Sequence, residues 1–97
     1  MTDYLLKSMT HHLRPHATSA GSSRARFFVA PSNVGDWLIF REGVQRAVHR
    51  LPIKIIAVET AKTMARESAP SEVLVERRDG RFSVEYAFAA GGVEMHH

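Results

Sequence analysis

The sequence predicts an α+β fold: a two-layer sandwich whose antiparallel sheet, in the order βββ-α-ββ, carries one amphipathic helix packed on one face. Three observations predict it. "RFFVAP" and "DWLIF" (residues 26–31 and 36–40) are rich in aromatic and β-branched residues, and Pro31, Ser32, Asn33 and Gly35 between them supply turn chemistry. Further on, Ile53, Ile56, Ala57, Thr60, Ala61, Met64 and Ser68 recur at helical spacing. Finally, "EVLVERRDGRFSVEYAF" sets an Asp-Gly pair between two alternating runs, the strongest short-range hairpin signal.

Residues 1–23 stand apart as an N-terminal arm. Thr2 is a candidate cap for a short helix with Leu5, Leu6, Met9 and Leu13 on one side, ending before Pro15. "ATSAGSS" then reads as a flexible linker. Such an arm is either a frayed tail or a docking element that folds on a partner. The single domain is expected over residues 24–90, and residues 91–97, "GGVEMHH", as a loose tail.

Within the domain, Glu42 and Gly43 mark a second turn after the "DWLIF" strand. "VQRAVHRL" can return as a third strand, with Val44, Arg46, Val48 and Arg50 on one face and Gln45, Ala47, His49 and Leu51 on the other. Pro52 suits the first turn of the helix, and Pro70 stops it. Ile55 and Val58 lie off the main apolar stripe, so the first half of the helix is apolar nearly all round and is expected to be covered on two sides. In the last hairpin, Val73 and Val75 alternate with Leu74 and Glu76. Past the turn, Phe82, Val84, Tyr86 and Phe88 alternate with Ser83 and Glu85.

A 97-residue chain buries only about 60–65% of its unfolded surface, so its core is modest and a partner subunit would help. It has no cysteine, which removes disulfides, thiolate zinc sites and cysteine nucleophiles together. No apolar run approaches the roughly 20 residues a bilayer needs. Lys7, His11 and His12 interrupt what would be a signal-peptide core, so a cytoplasmic location is expected. The formal charge of +3 is only mildly basic.

The chemistry-bearing residues form no catalytic constellation, and neither a cofactor nor a metal is expected. His12 and His16 have metal-ligand spacing, but Pro15 breaks the helix between them. His96 and His97 end the chain as a loose pair or a cloning remnant. No nucleophile elbow, zinc motif or phosphate loop is present. Glu76 and Glu85 read as a cross-strand charge ladder with Arg78 and Arg81 rather than a catalytic pair.

Two functions remain. The leading one is a non-catalytic interaction module that self-associates as a homodimer. If Phe27, Val29, Trp37 and Ile39 face the helix, then Phe28, Leu38 and Phe40 form an apolar second face suited to a subunit contact, as do Ile55 and Val58. The alternative is a weak electrostatic nucleic-acid binder using Arg46, His49, Arg50, Arg77, Arg78 and Arg81. Interspersed carboxylates such as Asp36, Glu42, Glu72 and Asp79 argue against a dedicated basic stripe.

"FFVAPS", "WLIFREG", Arg46, the alanines at 57, 61 and 65, and "EVLVERRDGRFSVEY" together resemble the bacterial family called domain of unknown function 2188, over roughly residues 26–88. The resemblance implies strand, Trp-containing strand, short strand, helix and a hairpin with an Asp-Gly turn. It implies no activity. Here "LPIKII" is apolar where members usually open the helix with a Thr-Lys-like cap and a polar first turn, which points to a local contact at this helix end.

Overall fold

Two hairpins followed by a helical return set the direction of every strand. In the computed structural model, which describes residues 24–95, β1 (Ala25–Pro31), β2 (Trp37–Arg41) and β3 (Ala47–Leu51) are antiparallel neighbours. Two reversals leave β3 running in the direction of β1. Helix α1 (Lys54–Glu67) carries the chain back to the starting end, so β4 (Ser71–Glu76) must run the same way. It enters beside β1 and pairs with it in parallel, Phe27 opposite Val73 and Val29 opposite Val75. β5 (Phe82–Ala89) pairs antiparallel with β4. β6 (Val93–Met95) pairs with β5.

The sheet is therefore mixed, with six strands in the order β3-β2-β1-β4-β5-β6, and not antiparallel throughout. The predicted βββ-α-ββ order holds. It is extended by β6, in a stretch expected to trail loosely. The arm, with His11, His12 and His16, and the terminal His96 and His97 lie outside the described residues.

Two register shifts change which way side chains point. Ile39 pairs with His49 but Phe40 with Ala47, so Val48 is the extra residue of a β-bulge. Strict alternation puts Ala47 and Leu51 on one face. The bulge instead packs Ala47 with Phe28 and Phe40, and Leu51 with the helix-side core. β5 behaves alike: Val73 pairs with Tyr86 but Leu74 with Val84, leaving Glu85 extra. Tyr86 and Phe88 pack on the helix side, whereas Phe82 packs on the opposite face.

The helix lies on the face formed by Phe27, Val29, Ile39, Val73, Val75 and Phe88. It meets that face with Ala57, Ala61 and Ala65, all fully buried. The buried row keeps Ala57 and Ala61 of the predicted stripe and adds Ala65, whereas Ile53 and Ile56 of that stripe are exposed. Ile53 is the N-cap residue, without a side-chain cap, so Pro52 precedes the helix rather than opening its first turn. At the other end the Ser68 N–H donates to the carbonyls of Met64 and Ala65, and the buried Ser71 hydroxyl donates to Ala65 as well.

Candidate interaction surface

One end of the sheet gathers the β1–β2 turn, the start of α1 and the β4–β5 turn, because β1, β3 and β4 all finish there. In the β1–β2 turn, the Asp36 carboxylate accepts from the Ser32 hydroxyl and, at 2.7 Å, from the Arg50 guanidinium. The Ser32 hydroxyl and then Arg50 hold that carboxyl below its usual range. Arg50, expected in a basic contact, is thus engaged within the turn.

At the hairpin tip, Gly80 adopts φ +84°, a left-handed conformation that suits glycine, and the Asp79 side chain accepts from the Arg81 N–H at 2.9 Å. Arg77, Arg78 and Arg81 are exposed there. Glu76 pairs with Phe82 and Glu85 sits at the bulge, so the predicted ladder of facing glutamates does not form. Glu85 instead accepts from the Ser83 hydroxyl at 2.7 Å.

The start of α1 is apolar and open. Ile53, Ile55 and Ile56 are 52%, 68% and 44% exposed, against the expectation of cover on two sides. Lys54 lies over the Trp37 ring at 5.4 Å. Between this helix end and the hairpin is a depression of about 250 Å³ lined by Lys54, Val58, Val75, Glu76, Arg77, Glu85 and Tyr86.

The predicted contact residues are divided by the fold. Phe28, Leu38 and Phe40 share one face, as expected, but they are already buried in the single chain and offer no surface. Val58 packs against the helix-side core, so Ile55 alone of that set is open. Arg46 precedes β3 at the opposite end of the sheet, roughly 15 Å away along the strands and three strand spacings, about 14 Å, across from the hairpin tip. His49 is exposed on edge strand β3, with two strands between it and β4. The six basic residues therefore form no continuous stripe.

The far end holds a charge cluster that sequence reasoning missed. Arg26 lies 3.3 Å from Glu72 and 3.8 Å from Glu42, and Arg24 lies 3.3 Å from Glu72. Glu42 Oε2 is buried without a hydrogen bond. Burial pushes the Glu42 carboxyl up, Arg26 opposes that, and Glu72 adds to it. Only the parallel register of β1 and β4 brings Arg26 beside Glu72, so no local signal announced the cluster. Among the described residues, no three of the histidines, aspartates and glutamates are grouped to hold a metal, and no helix is long and apolar enough to cross a membrane.

No curated protein and no solved structure matches the chain. A family described as "Uncharacterized protein conserved in bacteria (DUF2188)" matches residues 27–88, the span from the first buried residue of β1 to the last buried phenylalanine of β5. On that match, which covers most of the sheet and the whole helix, the chain belongs to this family of uncharacterised bacterial proteins.

Proposed function

We propose that the protein is a non-catalytic interaction module of the cytoplasm that self-associates through the start of α1. The observation that carries the reading is the exposure of Ile53, Ile55 and Ile56, three isoleucines within four residues at the start of the helix. An apolar patch set against its own copy across a two-fold axis needs no complementary partner chemistry. Lys54, the cation within the patch, is drawn aside over Trp37. Three partly exposed isoleucines fall well short of the roughly 800 Å² per partner of a standard interface, so the dimer should dissociate on dilution.

Sedimentation velocity across a micromolar concentration series tests this. Dimer that grows with concentration, and is lost in Ile55→Lys with the circular dichroism unchanged, supports the reading. A monomer at every concentration overturns it.

The exposed Arg77, Arg78 and Arg81 at the hairpin tip favour a second reading, weak electrostatic binding of nucleic acid. Its mark is affinity that falls steeply with salt and drops when the three arginines become alanine. Labelled DNA and RNA that stay unbound at low salt would exclude it.

A further inference from the structure

The depression between the start of α1 and the β4–β5 hairpin lies beside an exposed apolar side chain. Ile55 is 68% exposed, and Val58, three residues on, lines the depression. Residues three apart are neighbours on a helix surface, so Ile55 stands on the flank that borders the depression. The lining is of two kinds. Val75 is buried and Val58 and Tyr86 are half-buried, which makes an apolar floor. Lys62 reaches over the Tyr86 ring at 4.1 Å and fixes that part of the floor. Around it are two cations, Lys54 and Arg77, and two carboxylates, Glu76 and Glu85. The signs balance, so the depression has no net charge with which to draw in an ion. A surface carrying both signs is complementary to a copy of itself, since a two-fold axis can set each cation against a carboxylate.

We infer, resting on the self-association proposed above, that Ile55 of each copy inserts into this depression in the other. A knob and a hole side by side on one surface can be exchanged reciprocally across a two-fold axis, which closes the assembly at two copies. The volume, about 250 Å³, exceeds what the four-carbon side chain of one isoleucine needs. Area argues the same way: three isoleucines alone fall well short of the roughly 800 Å² per partner of a standard interface. Two insertions add the linings of two depressions to the contact. They also take from water the apolar floor that stacking isoleucine on isoleucine would leave wet.

The chain has no cysteine, so introduced thiols report contacts without background. The test mixes isotope-labelled Ile55→Cys chains with unlabelled Glu85→Cys chains, oxidises them at micromolar concentration and identifies the linked peptides by mass spectrometry. Both positions are exposed, and circular dichroism checks the fold of each variant. Linkage of the Ile55→Cys chain to the Glu85→Cys chain should exceed, several-fold, linkage of Ile55→Cys chains to one another. It should likewise exceed linkage to Thr63→Cys, an exposed position on the same helix that reports random collision. Sedimentation velocity on the parent chain, run in parallel, reads self-association by itself. A dimer whose Ile55→Cys chains link mainly to one another would keep the self-association and overturn the insertion. So would a dimer whose links to Glu85→Cys are no more frequent than those to Thr63→Cys. A monomer at every concentration would overturn both.

Discussion

Phe28 and Phe82 meet edge to face, with ring centroids 5.2 Å apart and planes at 86°, on the side of the sheet away from the helix. Plain alternation would have sent Phe82 to the same face as Tyr86 and Phe88. The bulge at Glu85 re-aims it. Phe28→Ala should cost about 3–5 kcal/mol, as for a fully buried phenylalanine, and Phe82→Ala about 1–3 kcal/mol because it is half-buried. A double-mutant cycle by urea unfolding should return a coupling of about 0.5–1.5 kcal/mol. Additive effects would place the two rings on different faces.

Ser71 is a fully buried polar side chain, and its hydroxyl ties the first residue of β4 to the last turn of α1. The Ala65 carbonyl keeps the Ser68 N–H when that hydroxyl is removed. Ser71→Ala should therefore cost only about 1 kcal/mol, read as a lower urea midpoint at constant m-value. A loss of several kcal/mol would show that the hydroxyl holds more of the helix end than this one bond.

Ala61 is fully buried in the alanine row that packs against the sheet core. Ala61→Leu should destabilise by at least about 1–3 kcal/mol, since added methylenes have no room. Thr63→Leu, on the exposed side of the same helix, should change stability by less than about 0.5 kcal/mol. Thermal unfolding of the pair compares them directly, and equal effects would contradict the close helix–sheet approach.

Glu42 titrates in the opposite sense to most surface carboxylates. Burial raises its folded value above the ordinary 4.5, so the native state holds the proton more firmly than the unfolded chain. Its favourable contribution is present below pH 4.5 and is lost as pH climbs through the raised value. Glu42→Gln should thus gain on the order of 0.5 kcal/mol or less at pH 7, because solvent screens part of the effect, and the gain should vanish near pH 4. Urea midpoints at the two pH values measure it. A variant weaker than the parent at pH 7 would mean that attraction to Arg26 outweighs burial.

What the sequence by itself determined is what local physics controls. The aromatic and β-branched runs, the Asp79-Gly80 turn, the helix and the proline that follows it all formed where their patterns placed them, because each depends on neighbours a few residues away. Faces were legible only where alternation ran unbroken: Phe27, Val29 and Ile39 point to the helix, and Phe28, Leu38 and Phe40 point away. Tertiary structure decided the rest. The bulges in β3 and β5 depend on how a partner strand bends, which a single strand's pattern does not encode. The parallel pairing of β1 with β4 follows from where the helix returns the chain, and it alone puts Arg26 beside Glu72 across 46 residues of sequence. Packing, too, decided which part of the apolar stripe is buried: the row Ala57, Ala61 and Ala65. Small side chains suit a close approach to the sheet, while Ile53, Ile55 and Ile56 at the helix start face water.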